Sequence, residues 1–118
     1  MDIEELREFC LHKQGVSESF PFNGNTLVFK VGNKMFCLTN LDKPFTINLK
    51  SDPEKVVELR EEYEDIHPGY HMNKKHWITL NCEGNLETDF IKNLIDESYN
   101  LVLANLSKKE RNLLKLDK

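Results

Sequence analysis

Cysteine, long apolar runs and surplus positive charge are all scarce in this 118-residue chain, and each scarcity excludes something. Cysteine occurs only at Cys10, Cys37 and Cys82. An odd number of distant thiols is no disulfide framework and points to reduced cysteines and a cytoplasmic setting. No apolar stretch approaches the roughly 18 residues that a membrane span needs, so no membrane partner is expected. The opening Met1-Asp2-Ile3-Glu4-Glu5 is acidic and helix-forming, unlike a signal or transit peptide. Gly-x-Ser-x-Gly, a phosphate-cradling glycine loop and a paired-carboxylate motif are all missing, so no catalytic residue is assigned and no cofactor is expected. Repeats and low-complexity linkers are missing too, which leaves one domain over residues 1–118, long enough to bury a core without staples.

The formal net charge of −4 argues against a chain-wide nucleic-acid footprint. Its distribution is less uniform than its sum. Residues 19–50 hold four Lys or Arg against one acid, Asp42, and residues 66–82 hold two against none. Residues 51–65 hold two against seven, and 83–97 one against five. The basic blocks fall where strands are expected and the acidic blocks where helices are. Helices on one face of a sheet would then give an acidic helical side and a basic sheet side.

Periodicity supplies the elements. Ile3, Leu6, Phe9 and Cys10 form one apolar stripe, predicting a helix over 2–13 closed by Gly15. Residues 19–25 read as a turn-rich connector whose aromatics, Phe20 and Phe22, plug the edge of the core. Strands are expected over Thr26–Val31, Lys34–Asn40 and Phe45–Leu49, the first two joined by a Gly32-Asn33 hairpin turn. Alternation puts Leu27, Phe29, Val31, Phe36, Leu38, Phe45, Ile47 and Leu49 inward. Thr26, Val28, Lys30, Met35, Cys37, Thr39, Thr46, Asn48 and Lys50 then face outward. Ser51-Asp52-Pro53-Glu54 has the spacing of a capping box opening a helix to about Tyr63. A strand is expected over His76–Asn81, with Trp77, Thr79 and Asn81 outward, and a short partner strand fits within 65–72. The longest helix is read over 86–105, and a last turn capped by Ser107 and Glu110 comes after it. The fold class is α+β: a two-layer sandwich with a mainly antiparallel sheet and helices on one face.

Residues 68–77 carry the most chemistry: Pro-Gly-Tyr-His-Met-Asn-Lys-Lys-His-Trp, with no carboxylate among them. Connecting loops are usually built from small polar residues, and one rich in large side chains suggests binding. His67, His71 and His76 crowd together, but Pro68-Gly69 breaks the helical spacing of the first pair, and no metal is assigned. Cys10 lies on a core stripe and Cys37 sits mid-strand, and both read as small packing residues in preference to nucleophiles. Anion or nucleic-acid binding fits better. Lys74 and Lys75 would neutralise phosphates, Asn73 would hydrogen-bond and Trp77 would stack on a base. His76, Lys30 and Lys50 would extend the patch, with Tyr70 and His71 in the same loop.

These motifs resemble the MmcQ/YjbR family of small bacterial proteins. The resemblance rests on Ser-Phe-Pro-Phe at 19–22, Val-Phe-Lys-Val at 28–31, Lys-Met-Phe at 34–36, Asn-Leu-Lys at 48–50 and Asp-Pro-Glu-Lys at 52–55. Leu-Arg-Glu at 59–61, the ten residues 68–77 and Ser-Tyr-Asn-Leu-Val at 98–102 complete it. It implies a compact cytoplasmic two-layer protein, similar in outline to secretion chaperones and frataxin-like proteins. The family is commonly described as DNA-binding through a double-wing arrangement. Two expectations arise: a non-enzymatic module that binds DNA or another phosphate-bearing ligand, and, from another class, a protein-interaction adaptor or homodimer using the sheet's free face or edges.

Overall fold

The computed structural model describes residues 1–114. Along them run α1 (Ile3–Leu11), β1 (Val16–Ser19), β2 (Thr26–Val31), β3 (Lys34–Asn40) and β4 (Thr46–Lys50). Then come α2 (Pro53–Glu62), β5 (Ile66–Pro68), β6 (Trp77–Asn81), α3 (Thr88–Ala104) and α4 (Lys108–Leu113). The strands form one six-stranded sheet in the order β1-β2-β3-β4-β6-β5, with every neighbouring pair antiparallel. Leu6 and Cys10 of α1, Val56 and Leu59 of α2, and Ile91, Leu94, Ile95 and Val102 of α3 join one core with Leu27, Phe29, Ile47, Leu49, Ile78 and Leu80. Each such side chain contributes about 1.5–3 kcal/mol by leaving water. The fold is therefore the expected α+β two-layer sandwich with its main helices on one face. No described helix is long and apolar enough to cross a membrane.

Local chemistry explains the boundaries. Asp2 caps α1 by accepting from the Glu5 N–H at 2.9 Å, and Ser107 and Glu110 complete a reciprocal capping box on α4. The β2–β3 hairpin turns at Gly32 with φ of 63°, a conformation that suits glycine in the first central position. The cap of α2 sits one residue later than expected. Asp52, not Ser51, accepts from the Glu54 N–H at 3.0 Å, because Ser51 continues the sheet by donating its own N–H to the His76 carbonyl at 2.8 Å.

Two features differ more substantially. The first is β1, which pairs with β2 over residues 16–19, where no strand was expected. Val-Ser-Glu-Ser offers a single apolar residue, so its pairing comes from tertiary context. The Arg7 guanidinium of α1 grips Glu18 through two bonds, at 2.9 and 2.6 Å, and holds that carboxyl below its ordinary range.

The second is a bulge. Phe29 pairs with Cys37 but Lys30 pairs with Met35, so Phe36 is an extra residue in β3. Phe36 and Cys37 both enter the core, and Leu38 turns outward beside Val28. Strict alternation had Leu38 inward and Cys37 outward. The extra residue shifts the alternation by one and exchanges the faces of Cys37 and Leu38.

Ser98 of α3 supports this irregular point. Fully buried, its Oγ donates to the Phe36 carbonyl at 2.6 Å and accepts from the Lys50 N–H at 2.9 Å, bridging β3, β4 and α3. Ser98→Ala leaves two interior backbone groups without partners. It should lower unfolding free energy by about 2–4 kcal/mol, measured by urea denaturation. A change below about 0.5 kcal/mol would show that the bulge does not rely on this hydroxyl.

Candidate functional site

The sheet face turned away from the helices is partly covered by the connector between β5 and β6. Its outward residues form rows across the strands. Val28, Leu38, Asn48, Thr79 and His67 make one row, each paired in register with the next. Lys30, Lys50 and Trp77 lie two residues further along their strands, on the order of 7 Å away, and Met35, opposite Lys30, lies three along because of the bulge. Val28, Leu38 and Trp77 form a second, small apolar cluster packed by Met35 and Met72.

The connector is fastened from several sides. Gly69 donates its N–H to the Trp77 carbonyl at 3.0 Å, and Met72 donates back to Gly69 at 3.2 Å. Thr79 Oγ1 accepts from the Tyr70 N–H at 2.8 Å and donates to Asn48 Oδ1, while Asn48 Nδ2 donates to the Tyr70 carbonyl at 3.3 Å. Asn73 Oδ1 accepts from the Lys75 N–H at 2.9 Å, a turn closed by its own side chain. His71 takes φ of 59°, unusual for a residue with a side chain, and its ring meets Tyr70 edge-on at 4.3 Å.

Beside this connector lies a groove of about 730 Å³. Leu38, Asn48, Thr79 and His67 lie at its floor; Tyr70, His71 and Met72 line it from one edge of the sheet; Phe22 and Asn23 of the β1–β2 connector line it from the other. Thr26, Asn40, Lys43 and Thr46 complete much of the rest, and Asp42 is the single carboxylate among the lining residues. Tyr70 is 68% exposed and Phe22 62%.

The expected site residues divide accordingly. Tyr70 and His71 line the groove, whereas Asn73, Lys74, Lys75 and His76 lie further along the same connector. Lys74 and Lys75 are exposed, with Lys74 Nζ reaching back to the Gly69 carbonyl at 3.4 Å. Lys30 and Lys50 do share the outward face.

Trp77 requires correction. It takes the outward position but is only 9% exposed, because the connector closes over it, so its ring is a packing element and not a stacking surface. Asn73 is also partly engaged, its oxygen serving the turn. Phe20 and Phe22, expected to plug the core edge, are exposed instead. Phe22 was missed as a groove residue, although Pro21 and Asn23-Gly24 around it mark a surface turn, where an aromatic ring has little core to reach. Among the described residues no three His, Cys, Asp or Glu gather as a metal-ligand set.

A family model described as YjbR matches residues 11–101. The chain belongs to the YjbR family. The uncharacterized protein YbdF of Escherichia coli O157:H7 is 39% identical over 117 residues, covering 94% of this chain and 95% of its own. The uncharacterized protein YjbR of Escherichia coli K12 is 31% identical over 115 residues, covering 97% and 98%. The crystal structure of Deinococcus radiodurans DR2400, a DUF419 domain, superposes with a TM-score of 0.90 at 39% identity, over 98% of this chain and 88% of that one. The expected family and fold class therefore hold over nearly the whole length.

Two expectations for this YjbR-family chain can be checked chemically. Burial pushes the Cys82 thiol up to about 12 and, with Cys10 beside it, raises Cys37 well above its ordinary value. Both should resist iodoacetamide in the folded protein at about pH 8 and react on unfolding, as read by mass spectrometry. Rapid alkylation of the native protein at either would contradict this placement. The close approach of Gly69 is the second case. A Cβ there would sit 2.6 Å from Trp77 Cβ and 2.9 Å from the Trp77 carbonyl oxygen, neither able to rotate away. Gly69→Ala should cost about 1–3 kcal/mol and red-shift the fluorescence of the sole tryptophan as the connector lifts. Unchanged emission would mean the connector does not shield the indole.

Proposed function

We propose that this chain is a non-catalytic binding module that takes a nucleic acid on the outer face of its sheet. One observation carries this reading: four lysines gather at one end of the outer face and none is in an ion pair among the described residues. The three ion pairs among the described residues, Arg7–Glu18, Lys13–Asp96 and Lys55–Glu97, each involve a helix. Lys30, Lys50, Lys74 and Lys75 form none of them. Four ammonium groups at one end of a face, beside a groove with a single carboxylate, suit a phosphate chain better than an acidic or neutral surface would. Lysines act there as point charges, positioning a backbone without reading its bases.

The groove supports the same reading, its lining mostly apolar with polar groups set into it. Its aromatic rims and hydroxyl and amide groups offer what bases need, and the basic end offers what their phosphates need. The alternative class is a protein partner or second copy, and the exposed edge strand β1 with Phe20 nearby favours it.

Fluorescence anisotropy with labelled DNA at about 50 and 200 mM salt separates the two. Binding should fall steeply with salt, and Lys74→Ala/Lys75→Ala should reduce the slope of log affinity against log salt by about 1.5. Salt-independent binding, or no binding at the lower salt, would remove the nucleic-acid reading. A mass that rises with concentration would then point to self-association.

A further inference from the structure

Resting on that reading, we infer that the groove selects single strands, holding unpaired bases against Tyr70 and Phe22 while the backbone tracks the lysines. Both rings line the same groove yet come from connectors at opposite edges of the sheet, and both remain more than half exposed. An aromatic ring left in water on each side of one concavity is unexplained by packing. Neither belongs to either buried cluster. Trp77 shows the contrast, since its ring is covered and serves the fold.

Stacking needs a base whose face is free. In a duplex the faces are hidden in the base stack, and only the edges are presented, in grooves that admit a protruding helix or ribbon. The feature here is concave, the opposite shape. A splayed base from a single strand can enter it, lie on a ring and present its hydrogen-bonding edge inward.

Groups for that edge are available. Asn40 Oδ1 accepts from the Asp42 N–H at 3.0 Å, and Asn23 Oδ1 accepts from Asn25 and Thr26, which leaves both Nδ2 groups without a partner among the described residues. The Thr46 hydroxyl is likewise unengaged among them, while Thr79 and Asn48 are already bonded to the connector. The volume, about 730 Å³, lies within the range of sites that take a small ligand and is sufficient for bases.

Charge sets the occupant. An apolar peptide would gain from the rings but nothing from Lys30, Lys50, Lys74 and Lys75. A single strand uses both, placing its faces in the groove and its phosphates over the basic end.

The test compares a labelled single strand of about 16 nucleotides with its duplex by anisotropy, for the unmodified chain, Tyr70→Ala, Phe22→Ala and Tyr70→Phe. The single strand should bind about ten-fold or more tightly than the duplex. Each alanine variant should weaken it roughly ten-fold, leaving duplex binding and the salt slope unchanged, and Tyr70→Phe should bind nearly as the unmodified chain. Both side chains are exposed, so melting temperatures should be unaltered and the loss attributable to the rings. Equal affinity for duplex and single strand, or alanine variants that bind as before while the lysine double variant still weakens binding, would overturn the inference and leave phosphate binding standing. No salt-dependent binding to either form would overturn both.

Discussion

A single buried hydroxyl, Ser98 Oγ, sits between the Phe36 carbonyl and the Lys50 N–H and holds β3 and β4 to α3 at the point where the ladder is irregular. A bulge leaves backbone groups out of register, and in an apolar interior an unpaired one costs about 1–3 kcal/mol. Ser98 removes that penalty and so permits the extra residue at Phe36. The consequences reach the other side of the sheet. With Phe36 and Cys37 both inward, Leu38 lies outward beside Val28, producing an apolar patch where a continuous strand would have placed Cys37. That patch is what the β5–β6 connector packs onto. Core, bulge, patch and connector form one chain of dependence.

In the connector, anchoring to the fold comes before any contact with a ligand. Trp77, where the connector enters β6, is drawn into the patch. Losing a buried tryptophan costs about 3–5 kcal/mol, whereas an exposed ring stacked on a base gives about 1–3. The fold gains more from the indole as an anchor. Asn73 obeys the same logic, its oxygen closing the turn on the Lys75 N–H, and Thr79 and Asn48 hold Tyr70 by its backbone. What these bonds leave outside are the Tyr70 ring and the ammonium groups of Lys74 and Lys75. A fastened loop presents them from a stable base, which lowers the ordering cost of any contact they make.

Most of the architecture was legible in the sequence because periodicity records burial directly. The helical stripes, the β2–β3 hairpin and the inward Ile47, Leu49, Ile78 and Leu80 all lie where alternation puts them. Leu38 was misplaced because a bulge has no compositional mark in Lys-Met-Phe-Cys-Leu, and its support, Ser98, is sixty-two residues away. β1 was invisible for a related reason: four residues with one valine form a strand only because β2 and Arg7 are beside them. The site was half legible. Residues 70–71 stood out by their chemistry and do line the groove, whereas Phe22, Asn40 and Lys43 join it only through the fold. Trp77 was read correctly for direction and wrongly for exposure, since alternation reports which face a residue takes and nothing of what lies over it.

The acidic balance of the chain is less of an obstacle to an anionic ligand than its sum suggests. A ligand responds to local potential, and in physiological salt charges further apart than about 8 Å are largely screened. The molecule measures 26 Å along its shortest axis, and the acid-rich segments 51–65 and 83–97 run largely through the helical layer. Carboxylates on the far side of that layer therefore contribute little at the outer face. Some are also compensated where they stand, as Lys13–Asp96 and Lys55–Glu97 are. The outer face keeps Lys30 and Lys50 beside Met35 and Trp77, with Lys74 and Lys75 above them and Asp42 the only acid lining the groove. At low salt the screening length grows to about 30 Å at 0.01 M, and the helical carboxylates would begin to oppose binding as the lysine contacts strengthen. A salt profile that flattens at its lowest end, instead of rising without limit, is the signature expected of a molecule with two oppositely charged faces.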